Sequence, residues 1–205
     1  MLVKICGIND LEFLQSSDSL SFNFAGFIFY SESARDLGDE IMPGDLDMLP
    51  LDVERVGVFV NEPLHLVIDI ASQFAVDFVQ LHGSESPVYA EKLAQEFSVI
   101  KAFRVNEEFD FSKTKRYEKS CDYFLFDTKA KKVGGTGLKF NWNLLEKYTG
   151  EVPFLLSGGI GPEDVEKIKE FSHPKFVGID INSKFETTPG KKDLDKISHF
   201  LKQLT

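Results

Sequence analysis

Phe124-Leu125-Phe126-Asp127-Thr128, followed by Val133-Gly134-Gly135-Thr136-Gly137, is the stretch on which the fold turns. An apolar run ends in a carboxylate, the chain crosses a lysine-rich loop, and a glycine cluster leads into a helix-like segment at Asn141. A short, continuously apolar run reads as a strand buried on both faces, as in a parallel sheet, and the charge falls at its C-terminal end. Glycines beside such an end let backbone N–H groups approach an anion, because no Cβ intervenes.

The same junction recurs on both sides of this stretch. Strand-like runs occupy residues 2–7, 24–29, 55–60, 77–81, 99–103, 123–126, 154–156 and 176–181. Between them lie helix signals. Asn9 or Asp10 caps a short helix to residue 15, and Pro63 suits the first turn of one reaching residue 74. Pro87 opens another to residue 97, a weakly patterned one covers 111–119, and two more occupy 162–171 and 194–204. The Asp-, Gly- and Pro-rich segment 36–50 leaves room only for a short helix. Strand starts therefore repeat at roughly 22-residue intervals, and strands alternating with helices imply parallel pairing. Eight such units predict a single compact α/β domain over residues 1–205, a (β/α)8 TIM barrel. A doubly wound open sheet is the alternative.

Bulk properties narrow the function classes. A chain of 205 residues supports one sizeable core, and its 20 phenylalanines must fill much of the interior. A formal net charge of -10 argues against nucleic acid as a partner, since that requires clustered basic residues. An anionic substrate would have to be held by local groups. No apolar run is long enough for a membrane span and no leader-like segment opens the chain, so a cytoplasmic location is expected. Cys6 and Cys121 are far apart, with neither disulfide nor metal spacing. No metal site is expected from these residues.

In a parallel barrel, reactive groups belong at the C-terminal strand ends. Cys6, Arg35, His82, Asp127, Gly158-Gly159 and Asp180 all sit at or just past such ends. Alternation puts Lys4 with Cys6, Gln80 with His82, Leu125 with Asp127, and Gly178 with Asp180 on shared faces. The opposite face, with Val177 and Ile179, suits burial under helices. Ser157-Gly158-Gly159-Ile160-Gly161-Pro162-Glu163 ends a strand and opens a helix, an arrangement suited to a phosphate group. The Gly134-Gly135-Thr136-Gly137 loop and the Asp180-Ile181-Asn182-Ser183 turn are the other phosphate candidates; structural turns are the bland alternative for all three.

Each single residue carries a bland reading too. Cys6 is either a small buried hydrophobe or, beside Gly7 and a helix start, a site that favours a thiolate. Asp127 is a loop cap, a partner for Lys129, or a functional carboxyl. Arg35 is a solvated loop charge or a fork for a substrate carboxylate. His82 hydrogen-bonds its own loop or lines a site. His65, His173 and His199 read as ordinary helix or surface residues, Cys121 as packing, and the lysines of 129–132 as a solvated loop.

Taken in order, Lys4-Ile5-Cys6-Gly7-Ile8, Gly26-Phe27-Ile28-Phe29 with Ser33-Ala34-Arg35, Gly57-Val58-Phe59-Val60-Asn61 and Val79-Gln80-Leu81-His82-Gly83 make up the first half of a pattern. Phe126-Asp127, Gly134-Gly135-Thr136-Gly137, Ser157-Gly158-Gly159 and Gly178-Ile179-Asp180-Ile181-Asn182-Ser183 complete it. This series resembles the phosphoribosylanthranilate isomerase family over nearly the whole chain. The resemblance implies a small phosphosugar substrate and an Amadori rearrangement that needs no cofactor. It implies Cys6 as general base, Asp127 as general acid, and Arg35 as the contact to the anthranilate carboxylate. His82 and Asp180 would line the substrate pocket, and the glycine loops with Asn182 and Ser183 would form the phosphate cradle. Either a monomer or a homodimer is compatible with it.

Two features depart from the family pattern. Ala34 stands where proline is usual, which predicts a less rigid loop under Arg35, and residues 9–23 lack the usual alanine- and glycine-rich character. Related phosphate-binding barrels are the competing enzymes. Among them a histidine-pathway sugar isomerase would use two aspartates, so Cys6 discriminates. A metal-dependent epimerase would need paired His and Asp ligands at several strand ends, and His82 is the only histidine so placed. A non-catalytic phosphosugar-binding barrel is the remaining class.

Overall fold

In the computed structural model, which describes residues 1–128 and 141–204, eight parallel strands close into a barrel in sequence order. They are β1 (Leu2–Cys6), β2 (Phe24–Phe29), β3 (Glu54–Phe59), β4 (Phe78–Leu81), β5 (Ser98–Val105), β6 (Tyr123–Thr128), β7 (Phe154–Leu156) and β8 (Phe176–Ile181). The seam closes where β1 pairs with β8, setting Lys4 directly opposite Asp180. The expected (β/α)8 barrel is therefore the observed fold.

Two apolar layers follow from strand alternation. Inside the barrel, Cys6, Phe24, Val56, Val58, Ile100, Ala102, Leu125 and Leu155 form one cluster. Outside it, alternate residues pack against the helices and carry most of the aromatic content. Phe124 meets Phe103 edge-on at 5.1 Å, and Phe126 meets Phe154 at 5.1 Å and Tyr148 at 5.2 Å. Such offset arrangements suit the ring quadrupole. Val177 corrects the alternation argument: it packs on the inner cluster, whereas Ile179 lies in the outer one as expected. The cause is a register shift between Phe154 and Leu155, where β7 meets β8.

The connections depart from the expected pattern more than the strands do. Alpha-helices α1 (Leu11–Ser16), α2 (Leu64–Gln73), α3 (Pro87–Leu93), α4 (Val165–Glu170) and, at the chain's end, α5 (Leu194–Leu204) form where caps or amphipathic spacing are clear. Asp10 caps α1 by accepting from the Glu12 amide, and Ser86 caps α3 by accepting from Tyr89. The segments Pro43–Met48, Phe111–Tyr117 and Trp142–Lys147 are 3-10 turns. In the second of these, Thr114 Oγ1 donates to the Phe111 carbonyl at 2.8 Å and Asp110 accepts from the Ser112 amide. Such local bonds compete with the α-helical ladder and favour the tighter turn. Past β8 the sequence reading missed a short hairpin, β9 (Glu186–Thr188) with β10 (Lys191–Lys192).

One ion pair on the outer wall is scaffold. Lys101 Nζ donates to Glu85 Oε2 at 3.1 Å and to the carbonyls of Leu81, Gly83 and Ala102, with both side chains nearly fully buried. Glu85 in turn accepts from the amides of Asn61 and Gly83. This network fixes the turn that follows β4, and with it His82. Burial drives the Lys101 ammonium down against the opposing pull of Glu85.

Candidate active site

Cys6 ends β1 and Asp127 is the penultimate residue of β6, so both belong to the C-terminal rim of one parallel barrel. Lys4 and Cys6 point inward from β1, two residues apart, and are buried at 0% and 4% exposure. Lys4 Nζ donates to Asp180 Oδ1 at 2.8 Å, and Ser157 Oγ donates to Asp180 Oδ2 at 2.8 Å. Gly26 pairs with Cys6 across β2. A Cβ at Gly26 would lie 3.0 Å from Cys6 Sγ and 3.0 Å from Lys4 Nζ, so thiol and ammonium border the same small space.

The electrostatics correct the expectation that this position favours a thiolate. Burial pushes the Cys6 thiol up; the charge and hydrogen bond of Lys4 oppose this, Asp180 adds to it, and Lys192 opposes it more weakly. The net direction is upward. For Lys4, burial works against the ammonium, but Asp180 and Cys6 outweigh it and raise it, so the cation persists inside the barrel.

Arg35 is not a solvated loop charge. Its Nε donates to both Glu186 oxygens at 2.9 and 3.0 Å, and its Nη2 donates to Oε2 at 2.8 Å. Glu186 also accepts from Lys192 Nζ at 2.7 Å and from the Gly190 amide at 3.2 Å. Lys192 donates a second bond to Asn182 Oδ1 at 2.9 Å. Two cations against one carboxylate leave a local positive excess in an acidic protein. Gly7, at φ 71°, permits the arrangement, since a Cβ there would lie 2.9 Å from both Arg35 Cδ and Asn182 Oδ1. The loop beneath Arg35 is held despite Ala34: Asp36 Oδ1 accepts from the Tyr30 amide at 2.9 Å and Ser33 Oγ from the Arg35 amide at 3.1 Å.

Across the rim, the groups are more open. His82 Nε2 lies 3.4 Å from Asp127 Oδ2, with the two side chains 22% and 25% exposed. The Gln80 side-chain amide lies 3.0 Å from His82 Nδ1, so it holds the ring with Nε2 facing the carboxylate. Gln80 is buried, and its Oε1 has no hydrogen-bond partner among the described residues.

The phosphate candidates divide. Gly158 and Gly159 take φ of 92° and 72° straight after β7, a backbone that only glycine adopts easily and that can turn successive amides one way. The expected helix start at Pro162 is a three-residue 3-10 turn, and the Gly161 amide is taken by Asp164 Oδ2 at 2.7 Å. Asn182 and Ser183 stand half-buried just past β8, beside Lys192. The Gly134, Gly135 and Gly137 loop and Lys129 lie outside the described residues.

The structure thus gathers Cys6, Arg35, Asp180 and Asn182 on one side of the rim and His82 with Asp127 on the other. Lys4 and Gln80 were legible as sharing faces with Cys6 and His82, but their partners were not. Ser157 was read only as part of a loop. Glu186 and Lys192 were missed, although Pro189-Gly190 between them signals a turn, and Gly190 takes φ 89°.

Comparisons with known proteins agree on family and fold. The family described as N-(5'phosphoribosyl)anthranilate (PRA) isomerase matches residues 3–203. The N-(5'-phosphoribosyl)anthranilate isomerase of Parabacteroides distasonis is 44% identical over 208 residues, covering 100% of this chain and 93% of that protein. The enzyme of the same name from Thermotoga neapolitana is 41% identical, covering 98% of this chain and 97% of the relative. Among solved structures, the Thermotoga maritima phosphoribosyl anthranilate isomerase superposes with a TM-score of 0.85 at 39% identity, covering 100% of this chain and 98% of its own. Another phosphoribosyl anthranilate isomerase, solved with reduced 1-(o-carboxyphenylamino)-1-deoxyribulose 5-phosphate, gives 0.82 at 37% identity with the same coverage. With the family matched across nearly every residue and the fold matched throughout, this chain belongs to the phosphoribosylanthranilate isomerase family.

Proposed function

We propose that this barrel converts N-(5-phosphoribosyl)anthranilate to 1-(2-carboxyphenylamino)-1-deoxyribulose 5-phosphate, with Cys6 as base and Asp127 as acid. The observation that supports it most is that a thiol and a carboxyl stand at the C-terminal ends of two strands, at the same rim of a barrel that the family matches over residues 3–203. The ligand named for the solved relative is a reduced form of this product.

The chemistry assigns each group one task. As general acid, Asp127 delivers a proton to the ribose ring oxygen as the anthranilate nitrogen pushes the ring open, leaving a protonated imine. The Cys6 thiolate removes the C2′ proton, and the imine nitrogen takes the electron pair, giving an enolamine. The same thiol returns its proton at C1′, and the Asp127 carboxylate takes the proton of the 2′-hydroxyl as the ketone forms. Acid and base end the cycle as they began. His82 orients the carboxyl of Asp127. Arg35, fixed by Glu186, offers its remaining donors to the anthranilate carboxylate. The amides around Gly158 and Gly159, with Asn182, Ser183 and Gly134, Gly135 and Gly137, hold the phosphate. Asp180 acts beneath the substrate, through Lys4 and Ser157.

Every group named comes from one chain, so a monomer suffices for the chemistry, and two free cysteines suit a cytoplasmic location. No helix among the described residues is long and apolar enough to cross a membrane. The direct test is turnover of freshly made phosphoribosylanthranilate, followed by the change in anthranilate emission. Saturable consumption is expected from the wild type; no consumption by folded protein would sink the reading.

A further inference from the structure

The proposed chemistry needs Cys6 as a thiolate, yet its sulfur lies in a dry interior close to a carboxylate. We propose that Lys4 is the positioning residue that makes Cys6 a base, and that Asp180 sets how much of the ammonium's charge reaches the sulfur. This rests on the reading of Cys6 as the base.

Geometry carries the case. Three charged side chains act on Cys6: Lys4 from its own strand, Asp180 from β8 and Lys192 from β10. Of the two cations, Lys4 borders the space at Gly26 that the sulfur also borders, whereas Lys192 spends its bonds on Glu186 and Asn182. A lysine at 0% exposure needs a partner, and Asp180 at 2.8 Å supplies one. A purely structural pair would stop there. Here the ammonium, with three protons to donate, also faces Cys6 Sγ across the space that Gly26 leaves open. Asp180 is in turn divided, one oxygen to Lys4 and the other to Ser157, beside the Gly158-Gly159 turn. One cation is thus shared between a permanent carboxylate and a sulfur that is charged only when it is basic. Lys4 keeps its protons throughout. The thiol proton is lost to water before the cycle, and within the cycle sulfur carries a proton only from C2′ to C1′. Burial and Asp180 both resist the thiolate, and Lys4 is the strongest group opposing them.

The test titrates the thiolate by its ultraviolet absorbance, with Cys6→Ala as the blank. Cys121 does not interfere, because burial pushes its thiol up to about 12. Lys4→Met should raise the Cys6 midpoint by about one pH unit or more, cutting the thiolate at a given pH by about tenfold. The rising limb of kcat against pH should move with it. Lys4→Arg should stay near wild type, and Asp180→Asn should lower the midpoint. An unmoved or lowered midpoint in Lys4→Met overturns the proposal, as does a shift of the same sign in both variants. Should Lys4→Met fail to fold, Asp180→Asn decides alone: a midpoint that does not fall overturns it. A midpoint that shifts without the kcat limb would leave the pair standing and remove Cys6 as the base.

Discussion

The two sides of the barrel rim are built on different principles. On the β1–β8 side, Lys4 pairs with Asp180, and Arg35 and Lys192 with Glu186, in bonds of 2.7–3.0 Å beside a buried thiol. On the β4–β6 side, His82 and Asp127 lie 3.4 Å apart and are each more than a fifth exposed. A dry side strengthens every charge it holds and must compensate each one. An open side lets water share the work. The proposed base therefore sits where its basicity must be created by neighbours, and the proposed acid sits where solvent reaches it.

The largest effect should come from removing the two ends of this comparison. Cys6→Ala and Asp127→Asn should each lower kcat by about 10²- to 10⁴-fold, with KM little changed, in steady-state fluorescence assays. Cys6→Ala should be the more severe, because at 4% exposure its place is less open to a substituting water than that of Asp127 at 25%. At Asp127→Asn, water at the open side can deliver a proton, and some residual turnover should persist. Full activity in either variant would remove that residue from the mechanism; a milder Cys6→Ala would erase the contrast.

The comparison also explains what the sequence could reveal. The barrel was legible because eight apolar runs alternate with helix signals, a count that usually closes a parallel sheet on itself. Cys6, His82 and Asp127 were legible because a strand's end fixes its side chain's face and height. The long-range partners were not. Glu186 reaches Arg35 across 151 residues, and Asp180 reaches Lys4 across 176. Local patterns say nothing about such pairs until the seam closes. Val177 shows the same limit at small scale, since a register shift turned it inward against its alternation. The helices after β2 and β5 gave way to 3-10 turns because turn-forming side chains and prolines outbid weak periodicity.

A mid-sized effect should test whether the dry side aims Arg35. Glu186→Gln keeps the shape but loses the charge, and KM should rise by about tenfold, the scale of one charge-assisted bond. A fall in KM would mean that Glu186 competes with the substrate and restrains the fork. Stability gives a second readout. Burial alone would raise the Glu186 carboxyl, but hydrogen bonds and charge from Arg35 and Lys192 outweigh it and hold it below the usual carboxylate value. A carboxyl depressed in the folded state adds stability above its unfolded pKa, about 4.3, and loses it as pH falls through the folded value. The gap in urea midpoint between wild type and Glu186→Gln should therefore be widest near neutral pH and close in acid. A gap that widens in acid would show that the carboxyl is not held by these cations.

The smallest effect belongs to the open side. His82 meets Asp127 at a distance longer than a good hydrogen bond and with solvent at hand, so its loss should be partly made up by water. His82→Asn should lower kcat by only a few-fold, on the scale of one exposed neutral hydrogen bond, while KM stays near wild type. The scaffold around it should hold, because the turn after β4 is fixed by Lys101 and Glu85 and not by the imidazole. Thermal unfolding should accordingly be almost unchanged. A loss of kcat as deep as that of Asp127→Asn would make His82 an obligatory partner of the acid, and the open side would then be as tightly built as the buried one.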